Sequence, residues 1–154
     1  MLEENVQVVH VSGTFDHDRT REQVADSLEH PYYHLFPYLD SADMGKAFAV
    51  ADIVVGRSGA SALGEFPYFG AASILVPYPY AWRYQRVNAD WLAERGAGIR
   101  MDDEAMADDL LPTLRGLLQD AERLAEIQDC AQTLYTGNGA NRIAEELLAL
   151  SETT

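Results

Sequence analysis

From Asp52 to Val76 the chain runs strand, glycine-bearing loop, helix, strand, and that order restricts the fold more than any other feature of the sequence. Asp52-Ile53-Val54-Val55-Gly56 becomes continuously apolar after its first residue, the pattern of a parallel strand covered on both faces. It leads directly into Arg57-Ser58-Gly59-Ala60-Ser61. A helix over roughly residues 60–69, ending at Gly70, and a strand over 73–76, closed by Pro77, complete the unit.

Further elements extend it on both sides. Val6 to Val11 is a β-branched run that ends in the turn Ser12-Gly13-Thr14. A helix from about Asp18 to Leu28 places Val24, Ala25 and Leu28 on one face. Tyr33 to Phe36 reads as a second strand, stopped by Pro37. Ser41 or Asp43 caps a helix that turns Met44, Ala47, Phe48 and Ala51 toward the core. Beyond Pro77 the pattern predicts a helix from Tyr84 to Arg95, a short strand over Gly98 to Met101, and helices broken near Asp120 and at Gly137-Asn138-Gly139. Strands alternating with helices at this spacing predict an α/β fold, a Rossmann-like, doubly wound parallel sheet flanked by helices. At 154 residues the expectation is a single domain over 1–154.

Composition narrows the possible partners. With 47% apolar and 23% charged residues the chain belongs with folded globular proteins. Its 25 acidic and 11 basic side chains give a net charge of −14, a field that repels phosphate backbones and anionic lipid, so no nucleic-acid partner is expected. A small phosphorylated ligand stays compatible with that charge, because backbone N–H groups at a helix N-terminus hold a diphosphate without net positive charge. The single cysteine, Cys130, excludes an intrachain disulfide and fits a cytoplasmic location. No apolar run has the length of a membrane span, and Met1-Leu2-Glu3-Glu4 lacks the features of a signal peptide.

In open parallel sheets, ligands bind where the carboxyl ends of strands lead into helices. Three loops qualify here: Ser12-Gly13-Thr14, Arg57 to Ser61, and Pro77 to Trp82. In the middle loop, Gly56 and Gly59 permit close backbone approach, Ser58 and Ser61 offer hydroxyls, and the next helix points free N–H groups outward. A capped helix start with a glycine turn accounts for the same residues. Glu65, one turn into that helix, can accept from two vicinal ribose hydroxyls, or it can be a solvated glutamate. Gln85 and Asn88, three apart, share a helix face and carry neutral amides suited to a sugar, or they simply face water. His10, His17, His30 and His34 lack metal-ligand spacing, so no metal is expected, and Asp102-Asp103 and Asp108-Asp109 read as solvated charge.

Taken together, Arg57-Ser58-Gly59-Ala60, Glu65, Gly70, Ile74-Leu75-Val76-Pro77, Gln85, Asn88-Ala89 and Gly96-Ala97 resemble the C-terminal half of the MurG glycosyltransferases, in order and spacing, over about residues 6 to 150. The resemblance implies a family-28, GT-B enzyme, inverting and free of metal or other cofactor. Such enzymes transfer N-acetylglucosamine from its uridine diphosphate to a lipid-linked muramoyl-pentapeptide acceptor, making lipid II for peptidoglycan at the inner face of the cell membrane. It further implies that Glu65 binds the ribose hydroxyls, that Ser58, Gly59, Ala60 and Ser61 hold the diphosphate region, with Arg57 also among the donor-binding residues, that Gln85 reads the sugar and Asn88 supports its helix turn, and that Leu39 and Met44 lie near the uracil.

Two departures stand out. Tyr84 occupies a place where many members carry a second glutamine, which leaves the hexose open, and the stretch Tyr38 to Met44 is one residue longer than the usual pattern. The family's C-terminal half normally opens with a strand and a G-G-S loop ahead of the unit beginning near Val6, and its acceptor-binding half precedes that. The resemblance therefore assigns the catalytic base to a partner half, leaves no catalytic residue in this chain, and implies that the chain alone is inactive. A nucleotide-sugar-binding subunit of a split two-chain glycosyltransferase is the alternative. A Rossmann-like dehydrogenase or epimerase is a weaker one, since no G-x-G-x-x-G follows the first strand. An uncovered sheet edge would favour homo-oligomers, and the tyrosines and Trp82 between Pro77 and Tyr84 could line an acceptor cleft or pack at its rim.

Overall fold

The computed structural model describes residues 6–80 and 82–152. They fall into two compact units, divided between Ala51 and Asp52.

The first unit opens with β1 (Val8–Val11), α1 (His17–Gln23), α2 (Ala25–Leu28) and β2 (Tyr33–Phe36), and closes with α3 (Ser41–Val50). β1 and β2 pair in parallel, Val8 beside Tyr33 and Val11 beside Phe36. The helix expected over residues 18–28 is two short helices that meet at Val24, where the backbone leaves helical geometry, and Ala25 is exposed rather than packed. The cap of α3 is neither Ser41 nor Asp43. Asp40 holds an extended backbone and its carboxylate accepts from the Asp43 N–H at 2.8 Å, the N-cap to N3 bond that orients a helix start. Met44, Ala47, Phe48 and Ala51 are half-buried, as their spacing predicts.

The second unit carries β3 (Ile53–Gly56), α4 (Ala62–Phe69), β4 (Ala72–Leu75), α5 (Trp82–Ala93) and β5 (Ile99–Arg100). A 3-10 turn (Asp103–Ala105) then leads to α6 (Met106–Gln119), α7 (Ala121–Leu134) and α8 (Gly139–Glu152). The three strands are parallel in the order β3-β4-β5, with Val54 beside Ser73 and Ile74 beside Ile99. Central β4 is buried along its whole length, whereas Val55 of β3 is 39% exposed. The strand covered on both faces is thus β4, and β3, despite its apolar run, lies at the edge of this three-stranded sheet.

Ala72 and Ile74 on one face of β4, with Val76 just beyond its end, pack with Met101, Leu117 and Ile127, which brings α6 and α7 against the sheet. The opposite face holds Ser73, whose hydroxyl donates to the Ala97 carbonyl at 3.3 Å. Gly98 makes that approach possible: a Cβ there would stand 2.5 Å from Ser73 Oγ and 2.9 Å from its carbonyl oxygen. α4 ends at Gly70, which takes the left-handed conformation (φ 60°) that glycine adopts at little cost. Along α8, Ile143, Leu147, Leu148 and Leu150 are exposed.

Candidate functional site

Because β3 and β4 are hydrogen-bonded neighbours running the same way, their carboxyl ends deliver two loops side by side: residues 57–61 ahead of α4 and residues 76–81 ahead of α5. Three hydrogen bonds tie both loops to α5. Ser58, fully buried, donates its hydroxyl to the Gln85 carbonyl at 2.7 Å. The Asn88 amide donates to the Ser58 carbonyl at 3.0 Å, and the Tyr78 N–H donates to Gln85 Oε1 at 2.8 Å. Ser58 and Asn88 therefore spend these groups inside the chain, fastening the start of α5 to the loop after β3.

The rest of that loop faces outward. Among the described residues, nothing accepts from the backbone N–H groups of Gly59, Ala60 and Ser61. A Cβ on Gly59 would project into open space, and the residue does not have positive φ, so neither packing nor backbone geometry calls for glycine there. Ser61 is the N-cap of α4, is exposed, and makes no side-chain cap bond. Free N–H groups at the positive end of a helix dipole form a cradle for an anion. Glu65 lies in the first turn of α4, exposed and without a hydrogen-bond or ion-pair partner among the described residues. The Gly56 position faces inward instead, since its Cβ would meet the Phe66 ring at 3.6 Å.

Arg57 is tied to the loop after β4 and to the turn after β5. Its guanidinium pairs with Asp103, donates toward the Val76 and Pro77 carbonyls at 3.4 Å each, and lies over the Tyr78 ring, 5.2 Å from its centroid. Asp103 and the Tyr78 N–H are the groups that sequence reasoning missed at this site. The aspartate stands 46 positions from its partner, and no local pattern links the two. Nor is Asp102-Asp103 free solvated charge, because Asp102 pairs with Arg100 at 2.7 Å. The same guanidinium reaches Asp90 of α5 at 2.7 Å, and these carboxylates hold Arg100 more firmly protonated.

Tyr78, Tyr80 and Tyr84 are exposed around these loops, with the Tyr78 and Tyr80 rings edge to face at 5.6 Å. Ala81 and the Trp82 side chain lie outside what the structure describes. Leu39 and Met44, both half-buried, belong to the first unit, where Leu39 directly precedes the Asp40 cap. Among the described residues no group of three or more His, Cys, Asp or Glu side chains is placed to hold a metal ion, and no helix is long and apolar enough to cross a membrane.

Comparison with known proteins gives concordant results. The profile of the glycosyltransferase family 28 C-terminal domain matches residues 1–147. The UDP-N-acetylglucosamine--N-acetylmuramyl-(pentapeptide) pyrophosphoryl-undecaprenol N-acetylglucosamine transferase of Chlorobaculum tepidum is 35% identical over 153 residues, 98% of this chain and 41% of that protein. The enzyme of the same name from Chlorobaculum parvum is 36% identical with the same coverage. The crystal structure of Acinetobacter baumannii MurG superposes with a TM-score of 0.79 at 26% identity, over 94% of this chain and 41% of that one. The glycosyltransferase VinC, at 19% identity and a TM-score of 0.69, shares the fold. The chain thus spans about 41% of the length of these relatives. With nearly its whole length inside the matched domain, this chain belongs to glycosyltransferase family 28 as a C-terminal domain of that family.

Proposed function

We propose that the chain is the donor-binding part of a MurG-type hexosyltransferase and holds UDP-N-acetylglucosamine on the loops that follow β3 and β4. The observation that carries this is the cradle itself: three N–H groups at the start of α4 and the Glu65 carboxylate one turn on, all without partners among the described residues, and open space above Gly59. The diphosphate sits against the Gly59 to Ser61 amides, Glu65 accepts from the ribose hydroxyls, and Gln85 meets the sugar. As the bond from the anomeric carbon to the diphosphate breaks, charge grows on the leaving phosphate. Amides already aimed at that oxygen stabilise it without reorganising.

The acceptor, a lipid-linked muramoyl-pentapeptide, and the base that takes its hydroxyl proton belong in this reading to the acceptor-binding half of the enzyme, working at the cytoplasmic membrane face. No metal takes part, so affinity measured in EDTA should equal affinity measured in magnesium. Leu39 and Met44 are assigned to the uracil by family resemblance.

Calorimetric titration of the wild-type chain and of Glu65→Ala tests the reading. UDP-N-acetylglucosamine should bind the wild type and lose about tenfold or more in affinity in the variant, as expected when a charged hydrogen-bond acceptor is removed. Equal affinity in the two proteins would take Glu65 out of the site, and binding of NAD in place of the uridine nucleotide would replace the reading altogether.

A further inference from the structure

Among the described residues, the contacts of the Arg57 guanidinium grip three consecutive residues and an outer anchor. Two are the Val76 and Pro77 carbonyls, one is the Tyr78 ring, and the outer anchor is Asp103 in the turn after β5. The next link is the Tyr78 N–H, which meets Gln85 Oε1 at 2.8 Å. A backbone N–H only donates, so the oxygen of the Gln85 amide must face it and the NH2 group must face outward. The backbone of Gln85 is fixed independently by the Ser58 hydroxyl. Among the described residues nothing accepts from the Gln85 NH2, so the amide keeps its two donors for whatever occupies the site.

We infer that Arg57 is a positioning residue for sugar selection: anchored on Asp103, it clamps residues 76–78 so that Tyr78 fixes the flip of the Gln85 amide and leaves its NH2 to donate, and it does not pair with the diphosphate. The inference rests on the nucleotide-sugar reading above for its ligand. The clamp itself can be tested without one. A sugar hydroxyl accepts from the locked amide, so the clamp adds to affinity only when the sugar is present. UDP alone gains nothing from it.

Two measurements on wild type, Asp103→Asn and Arg57→Gln decide the matter. In the first, exchange of the Tyr78 amide hydrogen should quicken about tenfold in both variants, while the Ile74 amide in the core keeps its protection as a control on folding. In the second, the affinity advantage of UDP-N-acetylglucosamine over UDP should shrink about fivefold or more in both variants. UDP affinity itself should move less than about twofold in Asp103→Asn, and the salt dependence of UDP binding should be unchanged in Arg57→Gln. Unaltered Tyr78 exchange would overturn the clamp. Equal losses for UDP and the sugar nucleotide, with a flatter salt dependence in Arg57→Gln, would make Arg57 a diphosphate ligand and overturn the inference. If wild type binds neither nucleotide, the reading of the site falls, and Tyr78 exchange still decides whether the clamp exists.

Discussion

Two glycines in the second unit have opposite reasons for being glycine, and comparing them separates folding from binding. At Gly98 a side chain would collide with Ser73 on the central strand, so Gly98→Ala should cost about 1–3 kcal/mol in chemical denaturation, the range for an overpacked core. At Gly59 the added methyl meets nothing in the chain, and stability should stay within about 0.5 kcal/mol of wild type. Affinity for UDP-N-acetylglucosamine should nevertheless fall in Gly59→Ala, by about tenfold, because the methyl occupies the approach to the amides. A Gly59→Ala protein that binds normally would show that the ligand lies elsewhere. His10 gives a prediction of another kind. Burial lowers its pKa, and its Nδ1 is hydrogen-bonded to the Tyr33 hydroxyl at 2.6 Å. Since the unfolded chain takes up a proton at higher pH than the folded one, stability contributed by His10 is present above about pH 6.5 and is lost as pH falls below it. The thermal midpoint should therefore decline between about pH 7.5 and 5.5, less steeply in His10→Gln, where the side chain does not titrate.

Among the elements, β4 matters most to stability and β3 to the site. Ile74 is fully buried against Met101, Leu117 and Ile127, so Ile74→Ala should cost about 2–5 kcal/mol by denaturant titration. The strands and helices of this unit were readable from apolar runs, Gly70 and the proline after Val76, because each signal is local. The ranking of β3 and β4 was not. Ile53-Val54-Val55 and Ser73-Ile74-Leu75-Val76 look equally covered as strings, and only the strand order places one at the centre and the other at the edge. The cap of α3 was misplaced for a similar reason: Asp40, Ser41 and Asp43 are all good capping residues, and the choice depends on which one leaves helical geometry first. In the site, the outward-facing loop was legible from glycine and serine ahead of a helix. The inward turn of Ser58, Asn88 and Arg57 was not, since their partners are 27, 30 and 46 residues away.

For the whole molecule, a net charge of −14 and the proposed diphosphate ligand are reconciled by the kind of donor used. Neutral amides at a helix start bind an anion through local dipoles, while the arginine nearest to them is already neutralised by Asp103. The family match spans both compact units, whereas the cradle and its clamp lie wholly within the second. The most direct test of this account is residue-resolved NMR of the full chain titrated with UDP-N-acetylglucosamine. The largest amide shifts should fall on Gly59, Ala60 and Ser61, with the Gln85 side-chain NH2 following when the sugar is present and unmoved by UDP alone. Saturable shifts centred away from residues 57–65, or none at millimolar nucleotide, would contradict it.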